Sequence, residues 1–427
     1  MAKPTPQVPR STPSKMPADM LGDSGAVNLL SEKTSDSTAL RPFEYHAKDE
    51  ELADLKRRIE ATRWPDGETV NDSTQGVQLA TIKKLANQWA TKYDWRKIEM
   101  MINAYPNYLT KIDGLDFHFM HIRSSHENAL PLIVCHGWPG SVIEQMKIIG
   151  PLTDPTAHGG KAEDAFHLVI PSMPGYGFSE RPSTPGWGPE RIADAYIALM
   201  ERLGYTKYGA TGGDWGSVVV DLMALKEPPG LVGIHTNMAG VVPPEIDVAL
   251  FKREPIPAGL SPEERQAAEE LAETYKHIGY ALTMADRPQT TTGMTDSPIG
   301  LAAWMLDHDP KSYDMIARSI DGKPEGLTPD DVLDNITLFW LTNTHLSAAR
   351  LYWENKLSYF AVKGVKIPVA VSTFPDELYT APKSWSQKAY PKLVHWNRLP
   401  KGGHFAAWEQ PELFTKEVRA GFRAMLH

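Results

Sequence analysis

Several short segments of this 427-residue chain hold residue types that could act together in catalysis. The first is Gly212-Gly213-Asp214-Trp215-Gly216, which follows an apparent strand (207–213) and precedes SVVVDLMAL, a run that suits a helix. Small residues on both sides of a central polar one, between strand and helix, are the pattern of a strained elbow that presents the middle side chain at the sheet edge. Many hydrolases carry Ser at that point, whereas this chain carries Asp214. On the pentapeptide alone, a Gly-rich turn with Asp214 as helix cap fits equally well. The second segment, His136-Gly137-Trp138-Pro139-Gly140-Ser141, comes directly after the apolar run LPLIVC. A His-Gly loop there is placed to supply one oxyanion-hole N–H, from Trp138, and the residue after the nucleophile, Trp215, supplies the other. The third, Gly402-Gly403-His404-Phe405, lies in a loop near the C-terminus. One histidine among 14 is usually structural, but His404 has the place that the chain order nucleophile, acid, base requires of the base. The acid should follow a late strand. The segment 374–378 (FPDEL) ends the run VKIPVAVST and offers Asp376 and Glu377. Adjacent side chains point in different directions, so one of the two is expected to reach His404 and the other to face solvent.

Aspartate at an elbow implies a particular reaction class. A carboxylate can displace a leaving group from saturated carbon and form an ester, which a His-activated water then cleaves under the oxyanion hole. A serine attacking the same carbon would leave an ether that this machinery cannot hydrolyse. Alkyl transfer is therefore expected, from epoxides or alkyl halides, and amide or carboxylic-ester hydrolysis is not. A halide leaves as a stable anion, but an epoxide leaves as an alkoxide and needs a weak acid. Tyrosine, protonated at neutral pH, fits that need. Tyr275, Tyr280, Tyr313 and Tyr352 all fall in the region that would cover the site, and spacing alone does not choose among them.

The elements that must hold these residues are legible as an α/β alternation. LPLIVC (130–135), FHLVIP (166–171), 207–213, 231–239, 365–375 and 393–399 read as strands, with a further strand at 115–122. An amphipathic helix at 190–204, with Ile192, Tyr196, Leu199 and Leu203 on one stripe, belongs to this alternation. The expected fold class is α/β: a mostly parallel twisted sheet with helices on both faces. Residues 242–355 lack strand signals and read as an inserted helical lid over the C-terminal sheet edge, where such sheets bind ligands. Two helical segments, from Asp49 and from Val77, form a helical unit over 43–104. The core then runs over 105–241 and 356–427. Residues 1–42, rich in Pro, Ser and Thr, read as a mobile tail.

Composition narrows the partners. With 41% hydrophobic and 23% charged residues the chain is globular. Its 44 basic and 53 acidic residues (net −9) argue against binding nucleic acid through its phosphates. The single cysteine, Cys135, excludes an intrachain disulfide and fits a reducing, cytoplasmic setting. No run reaches the roughly 18 to 20 apolar residues of a membrane span, and the first residues lack the apolar core of a secretory signal. His118 and His121 fall on opposite strand faces and no His or Cys pair has zinc spacing, so neither a metal nor any other cofactor is expected.

Taken together, the segments HGWPGS, PSMPGYGFSERP (171–182), GGDWGS and GGHFAAWEQP, with Arg63-Trp64-Pro65-Asp66, are those of a known family. The chain resembles the epoxide hydrolases of the α/β-hydrolase superfamily, in the microsomal-type branch with its fungal and insect relatives. The resemblance implies an α/β-hydrolase fold with an N-terminal meander, and conversion of an epoxide to a vicinal diol without a cofactor. By the family's motifs, Asp214 corresponds to the nucleophile and His404 to the base. Glu377, in the F-P-x-E pattern, corresponds to the acid, with Asp376 as second choice. Tyr280 and Tyr352 match the two lid tyrosines. His136, Gly137, Trp138, Pro139, Trp215 and Phe405 would border the substrate, so a lipophilic or aryl epoxide is expected. Membrane-bound relatives begin with an apolar anchor, unlike this polar tail, so soluble fungal enzymes are the nearer guide and no integral anchor is expected. A homodimer is compatible with the family. Two other functions are weighed against this one. A haloalkane dehalogenase would share the Asp elbow but not need Tyr280 or Tyr352. A non-catalytic binding protein would be expected to have lost at least one of the catalytic groups, all of which are present.

Overall fold

The computed structural model describes residues 38–426. Its single sheet has nine strands. They are β1 (Arg41–Pro42), β2 (Asn107–Ile112), β3 (Leu115–Ile122), β4 (Leu130–Cys135), β5 (Phe166–Pro171), β6 (Tyr208–Gly212), β7 (Leu231–Thr236), β8 (Val369–Thr373) and β9 (Leu393–Arg398). Their spatial order is β1-β2-β3-β5-β4-β6-β7-β8-β9. Pairing is parallel from β5 through β9 and antiparallel among β1, β2, β3 and β5. This is the α/β-hydrolase fold. The central strands are apolar without alternation because helices cover both faces: Leu132 to Cys135 and Leu168 to Ile170 are fully buried.

Two strands were not anticipated from sequence. β2 carries a weak alternation, NYLTKI, but a two-residue Asp113-Gly114 loop joins it to β3. Both loop residues have positive φ (48° and 87°), the requirement of a hairpin turn whose twist matches its strands. β1 corrects the end of the expected tail, since Arg41 and Pro42 pair with Leu109 and Tyr108. The rest of the tail, residues 1–37, lies outside the described residues.

Between β7 and β8 the chain forms helices, from Pro244–Phe251 to His345–Glu354, with isolated bridges as its only β pairing among the described residues. The sequence here writes its own helix starts. Ser261, Ser297, Asp309 and Thr328 each cap a helix with a side-chain oxygen, and each is followed by Pro at the first helical position. The stretch that starts at Pro262 forms two helices, Pro262–Thr274 and Gly279–Asp286. That break sets Tyr280 in the first turn of the second piece, where it is buried against Trp138. Among the described residues, no helix is long and apolar enough to cross a membrane.

Candidate active site

β6 ends at Gly212 and the next helix, Trp215–Leu225, begins three residues later. The turn between them forces Asp214 to φ 50° and ψ −129°, a conformation strained for any residue with a Cβ. Small neighbours make it feasible. A Cβ on Gly212 would strike the Gly216 backbone, and one on Gly216 would strike the Cys135 carbonyl. The elbow leaves Asp214 only 6% exposed at the C-terminal edge of the sheet.

Both Asp214 oxygens are engaged, by different groups. Oδ1 accepts the Trp138 backbone N–H at 2.7 Å, a contact open only because a Cβ on Gly137 would overlap Asp214. Oδ2 accepts the Tyr359 hydroxyl at 2.7 Å and lies 3.5 Å from His404 Nε2. On the other side of that imidazole, Nδ1 is 2.5 Å from Glu377 Oε1. Glu377 is itself held by the Leu378 N–H at 2.8 Å and the Asn237 amide at 3.4 Å. Asp376 is exposed and contributes its backbone, whose N–H donates to the Gly402 carbonyl at 3.0 Å. Glu377 is therefore the acid that reaches His404.

Above the elbow, Tyr280 stacks on Trp138 with ring centroids 4.9 Å apart. Tyr352 stands edge-on to Trp138 (5.8 Å) and to Trp215 (4.9 Å). The other two candidate tyrosines bond elsewhere, Tyr275 to Asp247 and Tyr313 to the Gln78 N–H. His136, expected beside the substrate, is instead a brace. It is wholly buried, its Nδ1 contacts the Gly137 carbonyl at 3.0 Å, and its Nε2 accepts the Met173 N–H at 3.1 Å. Burial pushes its pKa down to about 4, so it stays neutral. Gly137, Trp138 and Phe405 border a cavity of about 20 Å³, room for about one water, together with Asp214, Asn237 and His404. Pro139 and Phe405 border a second one of about 30 Å³ with Met305, Leu306, His308 and Ile316.

Burial opposes charge on both Asp214 and His404, and their neighbours overcome it. For Asp214, the His404 hydrogen bond and charge, with His308 and Tyr359, take the carboxyl below its usual range. For His404, the Glu377 charge and the Asp214 hydrogen bond raise the imidazole well above its usual value. The imidazole of His404 thus lies between the carboxyl groups of Asp214 and Glu377, an arrangement that favours its protonated form.

Some groups here had no place in the sequence reading. Tyr359 belongs to the segment that returns from the helical insertion to β8, and no motif marks it. His308 lies face to face with His404, centroids 4.3 Å apart, with Nδ1 2.9 Å from Asp309. Asp214, His308 and His404 have ligand-type atoms within 4.8 Å of one another, the one such grouping among the described residues. Amide and phenol donors already occupy the carboxylate, so we read the grouping as one that handles protons. Glu409, within the GGHFAAWEQP segment, accepts the N–H groups of Gly403 and Phe405. Acidic spacing after a loop histidine was the available signal for it.

A nucleophile-type elbow with Asp, a buried His–Glu pair and two phenols over the carboxylate is the context for comparison with known proteins. The model of the epoxide hydrolase N terminus matches residues 40–145, and that of the alpha/beta hydrolase fold matches 131–277. A putative epoxide hydrolase from Stigmatella aurantiaca is 49% identical over 391 residues, covering 90% of this chain and 85% of that one. The chain belongs to the epoxide hydrolases. Epoxide hydrolase 1 of Sus scrofa is 34% identical to it, with 90% of this chain and 89% of the relative covered. The crystal structure of juvenile hormone epoxide hydrolase from the silkworm Bombyx mori superposes with a TM-score of 0.79 at 30% identity, covering 91% of this chain and 95% of that one. This epoxide hydrolase is therefore similar to bacterial, mammalian and insect members over most of its length.

Proposed function

We propose that the enzyme turns an epoxide into a vicinal diol through an ester on Asp214. The observation that carries this reading is the unequal engagement of the carboxylate. Oδ1 sits on the Trp138 N–H, and Oδ2 faces His404 Nε2 at 3.5 Å. Oδ2 attacks an epoxide carbon, the C–O bond of the ring breaks, and Tyr280 or Tyr352 gives a proton to the ring oxygen. Burial raises both phenols well above their usual pKa, so they are protonated donors at neutral pH.

Ester formation removes the negative charge that holds a proton on His404. The imidazole pKa then falls, and Glu377 keeps Nδ1–H oriented toward itself, which leaves Nε2 to take a proton from water. Water adds to Cγ while the charge develops on Oδ1, under the Trp138 N–H. Trp215, first residue of its helix, has an amide free of intrahelical bonding and is the second donor. None of these steps calls on a cofactor.

Trp138, Trp215, Pro139, Phe405 and the apolar neighbours Met305, Leu306 and Ile316 favour a lipophilic or aryl epoxide. We read residues 43–104 as the meander, 242–355 as the lid, and 105–241 and 356–427 as the two parts of the core. The single cysteine fits a cytoplasmic setting.

The test is a rapid acid quench of stoichiometric enzyme and styrene oxide. The peptide containing Asp214 should carry the mass of one added epoxide within the first turnover. Diol formation with no adduct at any quench time would contradict the proposal.

A further inference from the structure

We propose that Tyr359 is the acid of the second half-reaction, protonating the oxygen that leaves with the diol. This rests on the ester reading above and deepens it. The two carboxylate oxygens have separate fates. Oδ1, on the Trp138 N–H, becomes the ester carbonyl oxygen. Oδ2 becomes the bridging oxygen, and it is the one that accepts the Tyr359 hydroxyl at 2.7 Å. When the tetrahedral adduct collapses, the Cγ–Oδ2 bond breaks and Oδ2 departs on the product as an alkoxide. It needs a proton at that moment. Tyr280 and Tyr352 serve a different atom, the former ring oxygen, which is already a hydroxyl by then.

The protons balance. His404 takes one proton from water, and the other stays on the oxygen newly bound to Cγ. Tyr359 gives its proton to Oδ2, which yields the diol, a phenolate and the carboxylic acid form of Asp214. That acid, with its new oxygen where Oδ2 had been, returns a proton to Tyr359. The lid phenolate left by the first half is reprotonated by the imidazolium of the resting enzyme before water attacks, so His404 is neutral when it takes the proton from water and ends protonated, as it began. Every group then stands as it began.

Such a donor must be held accurately, and the Tyr359 segment is tied on several sides. The Val242 N–H donates to the Phe360 carbonyl at 3.0 Å, and Val362 N–H returns to Val242 at 3.4 Å. Lys363 Nζ donates to the Tyr359 carbonyl at 2.8 Å, and Ser358 bonds to Asp247. The phenol ring stands edge-on to Trp215, centroids 4.8 Å apart. His404 Nε2, at 3.5 Å from Oδ2, is the more distant donor.

The experiment is single-turnover kinetics of wild type and Tyr359→Phe with styrene oxide, resolving adduct formation from adduct decay by quench and mass. In the variant, adduct formation should stay within about twofold and decay should slow by about 10²-fold, so that the Asp214 adduct accumulates. The slowing should grow along a series of epoxides whose diols are weaker acids, a trend that loosened packing would not produce. Unchanged decay overturns the proposal, as does a loss confined to adduct formation, which would make Tyr359 a donor to the ring oxygen. If neither protein ever carries an adduct on Asp214, the ester reading itself fails and this inference falls with it.

Discussion

The Glu409 carboxylate brackets His404, accepting the backbone N–H of the residue before it and of the residue after it, each at 2.9 Å. The imidazole thus stands on a loop clamped at both shoulders, while Glu377 fixes its rotation. Burial raises the pKa of Glu409 to about 7, against the pull of the two amides, so near neutrality the clamp is close to its own titration. Glu409→Ala would leave two buried N–H groups without partners, at a cost of about 1–3 kcal/mol each if water does not replace the carboxylate. The expected result is a lower melting temperature and a kcat reduced about tenfold or more, with KM little changed, because a misaligned base affects the step and not substrate binding. Denaturation and steady-state kinetics on the same preparation check both.

Asp214→Asn keeps the elbow, since Asn tolerates positive φ, but removes the nucleophile. Activity should fall by at least about 10³-fold. The same change deletes one of the charges that raise His404, so the imidazole should titrate at lower pH than in the wild type, as NMR of the ring protons would report.

The phenols divide by step. Tyr280→Phe and Tyr352→Phe should each slow adduct formation by about 10- to 10²-fold, and the double variant should lose nearly all epoxide opening. Decay of any adduct already formed should be unaffected. Pre-steady-state quench separates the two rates.

The two half-reactions should differ in pH dependence. Adduct formation needs ionised Asp214, whose pKa is held below the usual carboxylate range despite burial, so this step should persist into acid. Adduct decay needs neutral His404 and should slow as pH falls through the imidazole pKa of the alkylated enzyme. That value should lie below the one measured for the free enzyme, in which the Asp214 carboxylate is present.

Glu144 gives a stability prediction with a definite sign. Burial raises its pKa to about 8 in the folded chain, against an ordinary value of 4.5. The folded state therefore holds a proton that the unfolded state has lost, and this contribution to stability is complete below about pH 4.5 and declines as pH rises to about 8. Glu144→Gln should flatten that decline, which urea unfolding at pH 5 and pH 9 would measure.

How much of this was legible beforehand differs by residue. The strands at 130–135 and 166–171 were plain because doubly covered strands are unbroken apolar runs. β2 was not, although the Asp113-Gly114 pair was a hairpin signal, because the alternation in NYLTKI is weak. The helices Pro310–Ile320 and Pro329–Thr342 went unmarked despite capped, Pro-led starts at Asp309 and Thr328. In the site, Asp214 and His404 stood out because strained loops need glycines around them. Tyr359 and His308 did not, since a side chain brought in from a distant loop leaves no local pattern. His136 was misassigned for the converse reason: its motif marks a position in the loop, and only the fold reveals that both ring nitrogens are spent on backbone.

The measurement that bears most directly on the ester is one turnover of stoichiometric enzyme in H₂¹⁸O. The account predicts that the first diol carries the unlabelled oxygen of Asp214, while ¹⁸O appears in the Asp214 carboxylate. Label in the diol alone, with Asp214 unlabelled, would mean that water opens the ring directly and would contradict it.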